Sequence, residues 1–171
     1  VANRLDGGAG DDIFVGEGID TIVGGAGTDV FFGGQGAGLS VNLASSGLET
    51  VWGSFVGDLL DGASATTNLT LVGQGQTGGA NADSMRGGSG ADFVYFRSGD
   101  SIDGGSGSDW AVATLSAAGV ALSMTTTHFE NAWGSSFNDT ISGAASSTTL
   151  VIVGDAGNDG MSGGSGGDYI Y

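Results

Sequence analysis

The residues best suited to chemistry in this chain are carboxylates set at a fixed place in glycine-rich turns. The segment Gly7-Gly8-Ala9-Gly10-Asp11-Asp12-Ile13-Phe14-Val15 has glycine at its first, second and fourth positions, Asp at the sixth and a large apolar residue at the eighth. The pattern recurs at 24–32, 87–95 and 163–171, and its first six positions recur at 104–109. Glycines so placed admit backbone conformations that a Cβ forbids. Such a turn points several carbonyl oxygens at one spot, and the Asp carboxylate arrives beside them. Carbonyls and carboxylates at this density suit a hard, oxygen-seeking cation, Ca²⁺ above all. A borderline metal wants His or Cys, and the chain has one His and no Cys.

The candidate metal positions are therefore Gly8, Gly10 and Asp12; Gly25, Gly27 and Asp29; Gly88, Gly90 and Asp92; Gly105, Gly107 and Asp109; and Asp168. Weaker copies of the turn end at Asp20, Asp83, Asp100 and Asp159, while in 33–38 Gly38 stands where the carboxylate is expected. The residue two places after each motif Asp is apolar in every case, from Phe14 and Ile22 to Met161 and Ile170. That regularity predicts a short strand after each turn, with this residue pointing inward.

Other polar and aromatic residues read more plainly. Asp58, Asp61, Asp139 and Asp155 lie outside the full motif and suit turn formation and solubility. Asp103 reads as surface, and Glu49 and Glu130, at equivalent repeat positions, as structural hydrogen-bonding groups. Trp52 and Trp133 are also repeat-equivalent, which favours packing between coils over a glycan-stacking platform. Tyr95, Tyr169 and Tyr171 are expected on an outer face, where a neighbouring subunit could meet them. His128, with no Cys or second His nearby, reads as exposed and idle.

The elements that position the turns follow from two periods. Above the short repeat, residues 7–29 align with 87–109, and Trp52–Asp58 with Trp133–Asp139. The chain thus reads as one continuous β-solenoid over 1–171 built from units of about 80 residues. The first unit is 1–77 (glycine turns 7–38, spacer 39–77). The second is 78–157 (turns 78–109, spacer 110–153), and a third begins at 158–171. No terminal segment resembles a cap, so a piece of a longer protein or assembly is expected. Glycine is too frequent and no 3.6-residue stripe persists, so the expected class is all-β, almost entirely strand and turn.

Composition narrows the function. The 171 residues include 37 Gly and no Pro, with 19 acidic residues against three arginines, for a net charge of −16. A nucleic-acid partner is excluded for want of cationic groups, and anionic membrane surfaces are disfavoured. No apolar run approaches the length of a membrane span. The serines lack a charge-relay partner, and regularly repeated carboxylates suit stacked ligation better than one asymmetric catalytic pair. No enzyme is expected.

These glycine nonapeptides resemble those of the RTX, or haemolysin-type calcium-binding, repeat family. The resemblance implies a right-handed parallel β-roll in which calcium lies between same-side turns two motifs apart. Carried onto this chain, it pairs Asp12 with Asp29, Asp92 with Asp109 and Asp83 with Asp100, and faces Asp20 towards the 33–38 turn. Asp159 and Asp168 fall on opposite sides. The segments Leu48–Ser54 and Phe129–Ser135 resemble the spacer between such arrays, implying coils that hold without metal. The resemblance further implies a bacterial, extracellular protein, exported unfolded and folding on external calcium. The super-repeat favours a structural protein of the cell surface (surface layer, filament or adhesin) that self-associates into a homo-oligomer or polymer. Cell-surface polysaccharide is a further candidate partner, and the alternative role is the folding tail of a type I-secreted enzyme or toxin.

Overall fold

The computed structural model describes residues 1–74 and 81–171. The expected boundary between the first two units, at 77/78, and the first residues of the turn ending at Asp83 lie outside the described residues. Among the described residues eighteen short strands follow in sequence: β1(Arg4–Ala9), β2(Ile13–Gly16), β3(Thr21–Ala26), β4(Val30–Gly33), β5(Ser40–Asn42), β6(Thr50–Trp52), β7(Leu59–Asp61), β8(Thr70–Val72), β9(Ser84–Arg86), β10(Phe93–Tyr95), β11(Ser101–Asp103), β12(Trp110–Val112), β13(Ala121–Ser123), β14(Asn131–Trp133), β15(Thr140–Ser142), β16(Val151–Val153), β17(Gly160–Ser162) and β18(Tyr169–Ile170). They alternate between two walls. The even-numbered strands form one nine-stranded sheet in the order β18 to β2. The odd-numbered strands form the opposite wall as three sheets, β1-β3, β11-β9-β7-β5 and β13-β15-β17. Every pairing is parallel and in register. Each coil is thus one odd strand, a turn, one even strand and a turn back, and the chain is a parallel β-solenoid.

Where a turn Asp precedes a strand, the inward residue is the apolar one two places after it; Val51, Leu71, Leu122, Ala132 and Ile152 take the same inward place without an Asp. Phe31, Leu60, Met85, Val94, Ala111 and Ile141 are all buried. Ile170 in the last strand is the exception, at 44% exposed. Two single-turn helices, α1(Leu43–Ser46) and α2(Met124–Thr127), depart from the expected strand-and-turn content. The Asn42 side chain caps α1 by accepting from the Ser45 N–H at 3.0 Å, a local signal too short to leave a helical stripe. Leu43 and Met124 turn inward from these helices, and Leu48 and Phe129 follow them into the core. The spacer coils therefore bury more apolar side chain than the glycine coils, which contribute one inward residue per strand.

Both helices end on a left-handed residue. Gly47 takes φ 63 and its repeat-equivalent His128 takes φ 54. His128 is exposed but not idle: its Nδ1 lies 2.7 Å from Asp103 Oδ1, and Arg86 approaches the other oxygen of Asp103 at 3.4 Å. Asp103, expected as plain surface, is the anchor of that small cluster.

Candidate metal centre

All the glycine turns lie on the two edges of the solenoid, where the chain passes between walls. On the edge leading into the even strands stand Asp12, Asp29, Asp92, Asp109 and Asp168. On the other stand Asp20, Asp83, Asp100 and Asp159, together with Asp58 and Asp139. The in-register stacking of coils brings each carboxylate under the backbone of the coil before it. The Asp12 N–H donates to Asp29 Oδ1 at 2.9 Å and the Asp92 N–H to Asp109 Oδ1 at 2.8 Å. Glu49 and Glu130 continue these ladders, accepting from the Asp29 and Asp109 N–H groups at 2.9 and 3.0 Å.

Those bonds occupy one oxygen of Asp29 and one of Asp109, whereas the Asp12 carboxylate accepts none. The oxygens left over are the informative ones. Asp12 Oδ2, Asp29 Oδ2 and Asp109 Oδ2 are buried with no hydrogen-bond partner. A buried ionised oxygen left bare is costly, so three in equivalent turns call for a cation. In the same three turns the second and fourth glycines lie in the left-handed region, from φ 91 at Gly8 to φ 148 at Gly27. Gly25 is constrained twice over, because a Cβ there would also collide with the carbonyl oxygen of Gly8. Burial first, then the charges of Asp92, Glu130 and Asp103, pushes the Asp109 carboxyl up to about 6, against the lowering effect of the Asp92 N–H. Among the described residues no three His, Cys, Asp or Glu side chains converge on one point. Backbone carbonyls must therefore supply much of any coordination, which suits a hard dication and excludes a site made of side chains alone. Asp12 and Asp29, with Gly8, Gly10, Gly25 and Gly27, form the pair of turns that fits calcium on both sides.

The pair at 87–92 and 104–109 is unequal. Gly105 and Gly107 are left-handed, and Asp109 keeps its bare oxygen. In the lower turn, the Gly88 N–H instead donates to Asp92 Oδ2 at 2.7 Å, and Leu69 N–H to Asp92 Oδ1 at 2.8 Å. Gly88 and Gly90 lie outside the left-handed region, packed against the carbonyls of Ala65 and Thr67 in the longer spacer turn beneath. Asp168 is closed in the same way by the Gly164 N–H at 2.8 Å, above the spacer turn at 143–150.

The second edge is served differently. Asp20 is partly exposed and accepts from the Glu17 and Asn3 N–H groups, which hold its carboxyl below the usual value. Asp83 and Asp100 are neighbours, with the Asp83 N–H donating to Asp100 Oδ1 at 2.9 Å. An internal cation is already there: the Arg97 N–H caps Asp100 Oδ2 at 2.7 Å, and its guanidinium donates to the Gly73 carbonyl at 2.7 Å. Burial nevertheless raises Asp83 to about 7, with Asp100 and Asp58 adding to the rise and the Asp58 N–H and Arg97 opposing it. Asp159 accepts from the Asp139 N–H at 2.9 Å.

Asp58 and Asp139, read from sequence as turn formers, prove to be buried. Asp58 accepts from the Ser54 N–H and hydroxyl at 2.7 and 2.8 Å and from the Leu39 N–H at 2.7 Å. Asp139 repeats the set with Ser135 at 2.6 and 2.8 Å and the Val120 N–H at 2.8 Å. The sequence signal for these closed turns is a Ser four residues before the Asp. Asp61 and Asp155 stay on the surface side, the former capping the Ala63 N–H and the latter at φ 71.

The profile of the RTX calcium-binding nonapeptide repeat family matches in four copies, over residues 2–18, 13–39, 77–102 and 151–171. The chain belongs to the RTX family of calcium-binding repeats. That family binds calcium, and the bare oxygens at 7–12 and 24–29 fall within the matched segments. The turn at 104–109, with the third bare oxygen, lies just beyond one. No curated protein matches the chain.

Proposed function

We propose that the chain is a calcium-folded structural module of an extracellular bacterial protein that self-assembles at the cell surface, as a layer, filament or adhesin. The observation that carries the calcium half is the set of three buried, unpartnered carboxylate oxygens in left-handed glycine turns. A net charge of −16 with three arginines leaves the edges without enough internal cations. Calcium supplies the charge, and its binding free energy becomes folding free energy. Extracellular modules bind calcium at roughly 10⁻⁴ to 10⁻³ M, so cytosolic calcium leaves them empty and external calcium fills them. The structural role is supported by the architecture, in which each coil adds the same two walls and length grows with repeat number. The role is non-catalytic in this reading, because the carboxylates serve stacking between coils. No helix among the described residues is long and apolar enough to cross a membrane.

Far-UV circular dichroism during a calcium titration, with magnesium as control, tests the reading. A steep gain of β signal with calcium alone is the expected result. A spectrum indifferent to calcium would contradict it.

A further inference from the structure

The outward face of the nine-stranded sheet is uncharged and mostly apolar, interrupted by Thr50, Thr70 and Asn131. Its strands stack in unbroken register, so the two residues flanking each buried one form two straight columns, running through Val30, Thr50, Thr70 and Phe93 on one side and Phe32, Trp52, Val72 and Tyr95 on the other. Neither column holds an Asp, Glu, Lys, Arg or His, in a chain of net charge −16. The opposite wall presents Arg4, Asp6, Asp61, Arg86 and Asp103. Nine strands about 4.8 Å apart make the face about 38 Å long. Phe32, Trp52, Phe93, Trp133, Tyr169 and Tyr171 are 37–71% exposed on it. At about 150–250 Å² for each ring, they alone offer on the order of 600 Å² of apolar surface. Ile13 and Val15, exposed by 73% and 74%, bring the total near the ~800 Å² per partner of a stable interface. Patches of this size mark association sites.

At the three tryptophans the two columns are complementary, whereas β10 and the end of the chain carry a ring in both, Phe93 with Tyr95 and Tyr169 with Tyr171. Wherever one column carries Trp, the other carries a smaller residue in the same strand: Trp52 beside Thr50, Trp110 beside Val112, Trp133 beside Asn131. The smaller partners stand back from the surface, with Val112 6% and Asn131 8% exposed and Thr50 half-buried. A two-fold axis along the solenoid, between two such faces, exchanges the columns and sets every Trp against the smaller residue of the same strand in the other copy. That is an isologous interface, with one patch serving both sides.

We propose that this aromatic face binds a second copy of the chain, face to face and coil against the same coil. The inference deepens the self-assembly reading and rests on the calcium reading, since the edges must be neutralised for two acidic solenoids to meet. Sedimentation of the 171-residue chain at about 10 mM calcium and about 1–100 μM protein tests it, with circular dichroism on the same samples. The expected species is a dimer. Trp52→Thr with Trp133→Thr should weaken association about 100-fold or more and, at protein concentrations too low for the unsubstituted chain to dimerise, leave the calcium midpoint of folding in place. Thr50→Trp alone should also disrupt the dimer, by opposing Trp to Trp. Combining Thr50→Trp with Trp52→Thr should restore it, because the swap recreates the match in both copies. A chain that folds with calcium and stays monomeric overturns this inference alone, whether or not it binds a polysaccharide. So does a double Trp variant that dimerises as before. A chain that ignores calcium overturns the calcium reading, and this inference with it.

Discussion

The turns at 24–29 and 53–58 have the same length, the same terminal Asp and opposite solutions to one problem. Each brings a carboxylate into the edge of the solenoid and commits one oxygen to the coil below. In Gly53-Ser54-Phe55-Val56-Gly57-Asp58 the second residue is Ser, whose N–H and hydroxyl satisfy both oxygens of Asp58. In Gly24-Gly25-Ala26-Gly27-Thr28-Asp29 the second residue is a left-handed glycine that turns its N–H away from a bare Asp29 Oδ2. The direction of one backbone N–H therefore separates a turn that closes on itself from one that leaves an oxygen for a cation, and the Ser54 hydroxyl adds to the oxygen that already accepts from the Leu39 N–H. The core follows the same division, since the self-sufficient coils also carry the inward Leu43, Leu48, Met124 and Phe129.

Substitutions that cross this divide should have the largest effects. Gly25→Ala places a Cβ against the Gly8 carbonyl at a left-handed position. The combined strain is about 2–5 kcal/mol, and calcium should no longer order the first two turns. Calorimetric titration should show fewer ions bound. Asp29→Asn keeps an acceptor for the Asp12 N–H but removes the charge, so it should raise the calcium concentration needed for folding about tenfold or more, a change of about 1.4 kcal/mol. Ser54→Ala is the mirror experiment. It strips the hydroxyl from buried Asp58 at a cost of about 1–3 kcal/mol, read as a lower denaturation midpoint in calcium, with calcium stoichiometry unchanged.

The smallest expected effect is that of pH. Asp83 and Asp109 are raised to about 7 and about 6 from an ordinary 3.8. The metal-free fold thus holds protons that the unfolded chain has released. The stability these two groups contribute is fully present below about pH 4 and is lost as pH rises through about 6 and about 7. Thermal melts in chelator should therefore be higher at pH 5 than at pH 8. Calcium should reverse the trend, because it needs Asp109 ionised.

Much of this was legible in the sequence because it is written in period. The apolar residue two places after each Asp predicted the strands, and the resemblance to the RTX repeat paired Asp12 with Asp29 and Asp92 with Asp109. The state of an individual turn was not legible in the same way. Gly87–Asp92 and Gly104–Asp109 share their glycine pattern, yet only the latter is open, because the former rests on the spacer turn at Ala65 and Thr67. That contact lies some 23 residues away in sequence and has no trace in the motif itself. Arg97 was missed because it serves the Asp83–Asp100 edge through its backbone and a carbonyl, and no motif contains it. His128 was misread because its partner, Asp103, lies 25 residues away in sequence and no motif joins the two.

Amide hydrogen exchange, compared residue by residue with and without calcium, tests the central division most directly. The account predicts that calcium protects the backbone of 7–32 and 104–112 strongly, while the turns at 53–61 and 134–142 change little. Equal protection of both kinds of turn, or of neither, would contradict it.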